Sequence, residues 1–384
     1  MSSVPSPLHN RALVYATFTT TGISLALPGA LMPWLLAHWT LKDSQAGLLF
    51  FLFFLGSTAG AFLSRGNLAH SIVRGTLCTA LGAAWLPFAT RDTAYAAITL
   101  FGVGLGITMT SISLLQSRRF AADCAAEMTR LNLIWAIGAC SGPWLVLHKG
   151  VIDATHARHV LLALAVVFAL FAALTTLFER APQFQPLTPI TRAKHWLIAV
   201  PLPLLVLVGC ITGVESSSGG WLATYSQRSG HSLGAIIGAP TCFWAGLLLS
   251  RLLHSSSRIS NASRRFLLTG NLLLMAAALA TLVLFQATPL MLAAAFLIGF
   301  TAGPMYPLLL ALVLEHDNSP TVFILAGAGS ALLPYLTGEL STTSHSLRAG
   351  MLVPTFAATA MLLAGILTAR RTVSQTQNTA GHLQ

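Results

Sequence analysis

Apolar stretches of roughly 18 to 28 residues follow one another from Ala12 to Thr368, separated by short polar links, and each is long enough to cross a ~30 Å hydrocarbon core as a helix. A segment in lipid must satisfy its backbone N–H and C=O groups internally. In runs this long, without the strict alternation of a barrel strand, that requirement selects helices. Twelve spans are expected, near 12–37, 45–64, 72–90, 94–116, 130–148, 159–178, 196–226, 232–253, 266–286, 289–314, 320–340 and 349–369. The chain reads as an all-α membrane protein. The breaks between the third and fourth spans and between the ninth and tenth are the weakest in the pattern.

Composition agrees, with 55% hydrophobic and 8% charged residues against roughly 25% charged in an average soluble domain. The net charge of +11 is distributed by topology rather than gathered into a nucleic-acid surface. With the N-terminus inside, all but six of the 21 basic residues (Lys42, Arg91, Lys149, Arg158, Arg228 and Arg348) fall in inner segments. This asymmetry predicts a multi-pass protein of the cytoplasmic (inner) membrane with both termini cytoplasmic, its partners the bilayer and a small-molecule solute, with no nucleic acid. No cleavable signal is visible, and the first span is read as a retained anchor. The five cysteines show no paired spacing, so neither a disulfide framework, a metal site nor a cofactor is expected. The chain is expected to work as a monomer.

The longest polar link lies near the middle and is rich in proline and basic residues. It divides the chain into an N-terminal six-helix bundle (1–178), a cytoplasmic linker (179–194) and a C-terminal six-helix bundle with a short cytoplasmic tail (195–384). The halves repeat each other. The second span ends in Gly60-Ala-Phe-Leu-Ser64-Arg65 and the eighth in Gly246-Leu-Leu-Leu-Ser250-Arg251. The fourth carries Gly102, Gly104 and Gly106, and the tenth Gly299 and Gly303. Gly138 to Gly142-Pro143 in the fifth corresponds to Gly327 and Gly329 to Pro334 in the eleventh. Matched offsets of this kind indicate a parallel internal repeat and two pseudo-symmetric bundles.

On these residues the sequence resembles the major facilitator superfamily over essentially its whole length. Within it, the closest likeness is to the sugar transporters around the fucose/proton symporter. That likeness is carried by the run Gly22 to Pro33, by Gly213-Val-Glu215-Ser-Ser-Ser-Gly-Gly-Trp221 to Tyr225, by Gly303-Pro304-Met-Tyr306-Pro307, and by Gly327 to Gly338. The superfamily's G-x-x-x-D-[RK] pattern after the second helix keeps Gly60 and Arg65 but has Ser64 in place of the acid. The resemblance implies gating roles for Arg65 and, by the repeat, Arg251. Gly142, Pro143, Pro304, Pro307 and Pro334 are expected to let their helices bend during gating. The resembled symporter uses carboxylates in helices one and four. Here helix one has none, and helix four offers only Thr108, Thr110, Ser111, Ser113 and Gln116.

Glu215 is the one acidic residue expected deep in a span. Burying an ionised carboxylate costs several kcal/mol unless it is paired, hydrated or protonated, so an intramembrane Glu marks a functional site. No basic partner for it is evident in the sequence. It is therefore a candidate for proton coupling or for contact with solute hydroxyls. Trp221 and Tyr225 on the same helix, Tyr306, Trp135 with Asn132 on one face of the fifth span, and Thr20 in the first are candidate solute-binding residues, because amphipathic aromatics hold the apolar face of a sugar ring. For Trp221 and Tyr225 the alternative is an interfacial belt, for Asn132 and Trp135 helix packing, and for Thr20 a bond to its own helix backbone. Glu315, Asp317 and Glu339 read as solvated helix-end acids.

Three classes of function fit these features. The first is transport of a small neutral polar solute, a sugar above all, by alternating access, either with proton symport through Glu215 or as a facilitative uniporter. The second is a proton-coupled exporter of drugs or metabolites, to which Gly138 to Pro143 has some likeness. The third, a sensor or membrane-embedded enzyme, lacks a nucleotide loop, a metal-ligand cluster or a nucleophile–base pattern.

Overall fold

The computed structural model describes residues 7–64, 66–146, 154–178, 202–254, 261–314 and 321–381. They form twelve long helices: α1 (Pro7–His38), α2 (Asp43–Leu63), α3 (Leu68–Trp85), α4 (Arg91–Arg119), α5 (Cys124–Val146), α6 (Ala154–Phe178), α7 (Leu202–Arg228), α8 (Leu233–His254), α9 (Asn261–Leu284), α10 (Thr288–Leu314), α11 (Thr321–Ser344) and α12 (Leu352–Gly381). Among the described residues, nine of these helices are long and apolar enough to cross a membrane by length and composition alone. The others, α3, α5 and the short apolar part of α9 (Leu268–Leu284), complete the set. The structure is that of an all-α membrane protein with twelve transmembrane helices in two six-helix bundles.

Local chemistry sets the breaks that were weakest in the sequence. Asn67 caps α3 by accepting from the Ala69 and His70 amides, which starts the helix four residues earlier than expected. Its end comes earlier too, at a 3₁₀ turn, Leu86–Phe88, built around Pro87. Thr90 then opens α4 as its N-cap. Between α9 and α10 a short non-helical link precedes Pro289, which sits in the first turn of α10, where a missing N–H costs nothing. Span 196–226 begins at Leu202 as α7, its first residues lying outside those described.

Glycine packing makes the internal repeat physical. A β-carbon on Gly60 (α2) would overlap the Val103 carbonyl of α4, and one on Gly106 would overlap that of Ser57. The same happens in the other half, at Gly246 (α8) against Phe296 and at Gly299 (α10) against Phe243. Likewise Gly138 of α5 meets the Thr19 carbonyl of α1, and Gly329 of α11 meets that of Gly209 in α7. Small residues of this kind let backbones approach within a bilayer, where helix association relies on close packing rather than on the hydrophobic effect. At Ser64, where the family pattern has an acid, the hydroxyl instead donates to the Ile107 carbonyl at 3.1 Å and ties α2 to α4.

The bundles meet mainly through α2 with α11, α5 with α8 and α1 with α7. From the cavity floor at mid-span to the face bearing the starts of α2 and α8 the seam is tight. Gly29 of α1 lies against the Gly219 carbonyl of α7, Gly338 of α11 against the Asp43 carbonyl, and Gly220 against the Phe50 ring. Asp43, only 8% exposed, accepts both terminal nitrogens of Arg228 at 2.5 and 2.7 Å and the Ser341 hydroxyl at 2.5 Å. The Ser44 amide donates to Thr342 at 2.7 Å. Toward the amino-terminal face the bundles diverge and enclose a cavity.

Candidate functional site: a cavity between the bundles

The cavity has a volume of about 730 Å³ and reaches from mid-span residues such as Pro28, Phe53 and Gly219 to residues near the amino-terminal face, including Phe62, Ser117, Met128, Arg251 and Phe323. The N-terminal bundle contributes mainly aromatic rings and hydroxyls, among them Phe50, Phe54, Ser57, Thr58, Thr110 and Ser113. The charge comes from the C-terminal bundle. Among the described residues, Glu215 of α7 and Arg251 of α8 are the two charged side chains in the lining. They face the same space without forming a direct ion pair, yet are close enough to feel each other's charge.

Arg251 sits over the Trp135 ring of α5, with its guanidinium carbon 5.1 Å from the ring centroid, a cation–π contact made across the seam. Trp244, two turns before Arg251 on α8, meets Trp135 edge to face at 5.9 Å. Among the described residues neither indole N–H has a hydrogen-bond partner, nor has the Arg251 Nε. Tyr306 completes the aromatic wall from α10. Behind Glu215 the backbone is held by a specific bond. Pro334 has no N–H to give the Ser330 carbonyl one turn earlier in α11, and Ser216 supplies the missing donor at 2.9 Å.

The structure thus brings together Glu215, Trp135, Tyr306 and Arg251 of the residues expected from sequence, with Pro304 and Pro307 flanking Tyr306 in α10. Four candidate binding residues lie elsewhere. Trp221 is fully buried and neither interfacial nor in the cavity, since its indole donates to the Pro334 carbonyl at 3.0 Å and its ring packs edge-on against Phe50. Tyr225 is buried with its hydroxyl on the Leu282 carbonyl of α9 at 2.7 Å. Thr20 bonds the Ala16 carbonyl of its own helix at 2.9 Å, and Asn132 is exposed outside the lining. The physical reason for Trp221 is angular. An offset of six residues turns it about 120° around the helix from Glu215.

Gly142 packs on Ile23 and Ala26 of α1 inside the N-terminal bundle, beside the buried Pro143, rather than at the seam. Arg65, Glu315 and Asp317 lie outside the described residues. One expectation about charge needs correction. Glu215 does have a basic group in its cavity, because Arg251, at the end of the eighth span as expected, turns its side chain inward. Glu215 is the acid deep in a span, but a second acid is buried at a helix end. Glu127, in the first turn of α5, is fully buried and accepts from Arg11 at 2.6 Å, Tyr15 at 2.7 Å and Arg130 at 3.4 Å. The Trp244 to Arg251 spacing of seven, two turns along one helix face, is the sequence signal that points to Arg251; nothing local marks Glu127.

A twelve-helix, two-bundle membrane protein with a between-bundle cavity is a transporter architecture. The profile of the Major Facilitator Superfamily matches residues 14–321, and the chain belongs to this family. It is similar to the glucose/mannose transporter GlcP of Bacillus subtilis (strain 168), with 24% identity over 382 residues covering 92% of each chain. Among solved structures it resembles a bacterial homologue of the human lysosomal transporter Spinster (TM-score 0.71, 14% identity, 96% of this chain and 98% of that one). A mutant of the nucleoside transporter NupG gives a TM-score of 0.71 at 11% identity, covering 92% and 98%. The transporter FucP gives 0.62 at 16% identity, covering 95% and 99%.

Proposed function

We propose that this protein carries a small neutral polyhydroxylated solute, a hexose in the first instance, across the cytoplasmic membrane by alternating access of its two bundles, 1–178 and 195–384, about the linker 179–194. The observation that carries this reading is the cavity's combination of aromatic faces (Trp135, Trp244, Tyr306) with an unbonded carboxylate and guanidinium. Rings cover the C–H face of a sugar while the two ions meet its hydroxyls, one as acceptor and one as donor. The similarity to a glucose/mannose transporter supports the solute class. With both termini cytoplasmic, as the distribution of basic residues indicates, the cavity faces the cytoplasm and the Asp43–Arg228 seam closes the outer side. The protein acts as a monomer.

Arg251 bears on coupling. With a guanidinium in the same space, the lining carries no net charge when Glu215 is ionised, and a proton taken up there would leave Arg251 the single charge among the described lining residues. This favours facilitated transport over proton symport. Radiolabelled hexose counterflow into proteoliposomes tests the main reading, and exchange is expected without an imposed proton gradient. Accumulation that requires such a gradient and is lost in Glu215→Gln would restore the symport reading. A second reading rests on the apolar part of the lining, Phe53, Phe54, Met109 and Phe323, which suits a lipophilic solute moving outward. Counterflow absent for every hexose, together with raised tolerance of expressing cells to lipophilic cations, would favour the exporter.

A further inference from the structure

We propose that Glu215 and Arg251 act together as the charge filter of the cavity, admitting uncharged polyols and refusing anionic and cationic analogues of the same size. The inference rests on the transport reading above and names which solutes that site selects. Among the described residues these are the two charged side chains in the lining. Neither is consumed by a structural bond, since among those residues Glu215 has no hydrogen bond or ion pair and Arg251 only the face of Trp135, with its Nε unpartnered. This contrasts with Asp43 and Glu127, each bonded on both carboxylate oxygens.

Two opposite charges in one low-dielectric space give the described lining no net charge to attract an ion. A solute bearing a carboxylate gains from Arg251 what it loses to Glu215, and still sheds its hydration on entry. An ammonium meets the same cancellation with the signs reversed. A neutral polyol sheds a far weaker hydration shell, and its hydroxyls donate to Glu215 and accept from Arg251. Selectivity by sugar shape is left to the aromatic wall. The separation of roles has a consequence that shape recognition alone does not predict: neutralising one member turns the site into a receptor for the opposite charge.

The test uses the full-length protein in proteoliposomes with glucose, glucuronate and glucosamine, the last at mildly acidic pH where its amine is protonated. The readouts are competition with glucose counterflow and, independently of transport, titration of the intrinsic tryptophan fluorescence, to which Trp135 and Trp244 contribute from the cavity region. The wild type should prefer glucose. In Glu215→Gln, glucuronate should gain on the order of tenfold relative to glucose, and in Arg251→Gln glucosamine should gain similarly, the scale of one uncompensated charge at short range. The double variant should return to a neutral preference with lower affinity. Where a single variant no longer transports, its fluorescence titration still reports the preference. A wild type that carries glucose, with both variants keeping the wild-type order of preference, overturns the charge filter alone. A wild type that binds none of the three overturns the sugar reading and the filter with it.

Discussion

Asp43 and Glu215 are both acids at the seam between the bundles, and the protein treats them in opposite ways. Asp43 is saturated, with Arg228 in a bidentate pair and Ser341 on one oxygen, and glycines around it let the backbones of α1, α2, α7 and α11 touch. Glu215 is left without a bond in a space lined by rings and hydroxyls, and its counter-charge stands apart from it. A carboxylate bonded on both oxygens holds two elements together; one with neither oxygen bonded is available to a ligand. The same residue chemistry thus builds a tight contact at one end of the seam and, on the proposed reading, a receptor at the other. The contrast also has an energetic side. On the alternating-access reading proposed above, the contacts of the closed end must be broken for the solute path to open there, whereas Glu215 gives up no bond to the described residues when a solute enters.

The comparison breaks most directly at Gly29. Leucine there must displace the Gly219 carbonyl and the Gly220 backbone, which no side-chain rearrangement relieves. Gly29→Leu is expected to force the closed end apart and reduce hexose counterflow at least about a hundredfold, because overpacking of several kcal/mol falls on one conformation. The measurement is labelling of a cysteine placed at Ser44, in a background lacking the five native cysteines, by a membrane-impermeant maleimide. Labelling no faster than in the parent would show that the seam absorbs the bulk.

A smaller effect is expected at the ion pair, and it should be asymmetric. Arg228→Gln leaves the nearly buried Asp43 with only Ser341, while Asp43→Asn frees an arginine whose side chain is 43% exposed and readily hydrated. Removing one partner of a buried pair costs up to several kcal/mol, and exposure on the arginine side reduces this to about 1–3 kcal/mol. Arg228→Gln should therefore increase Ser44 labelling several-fold more than Asp43→Asn does, and the exchanged pair Asp43→Arg with Arg228→Asp should recover part of the closure. Equal effects of the two single variants would mean that the glycine contacts alone hold the seam.

How far these features were legible in the sequence depends on where each residue sits along its helix. The spans were legible because their length against the hydrocarbon thickness is a strong physical constraint, and the repeat was legible because close helix approach demands glycine at fixed positions. Glu215 stood out since a charge in mid-span is rare. Arg251, Asp43 and Arg228 did not stand out, because near helix ends charge is ordinary and the positive-inside pattern explains an arginine without reference to any partner. Whether such a side chain turns outward to the interface or inward to a cavity depends on the neighbouring bundle. Trp221 and Tyr225 illustrate the reverse error: sharing a helix with Glu215 is not sharing a face, and their polar atoms are used on Pro334 and Leu282.

The sharpest control for the seam is a carboxylate just as buried but confined to one bundle. Glu127 joins α5 to α1 through Arg11 and Tyr15 and touches nothing in the C-terminal bundle through these bonds. If saturation of a carboxylate stabilises whichever elements it connects, then Glu127→Gln should weaken the N-terminal bundle and leave the balance between open and closed ends alone. Glutamine keeps an acceptor for Arg11 or Tyr15 but loses the charge-assisted part of both bonds, worth about 1–3 kcal/mol with Arg11 and Arg130 partly solvated. The expected outcome is a lower thermal unfolding midpoint in detergent with Ser44 labelling unchanged from the parent. A variant of normal stability but altered labelling would show that α1 and α5 transmit to the seam. The distinction between a bond within a bundle and a latch between bundles would then fail at this position.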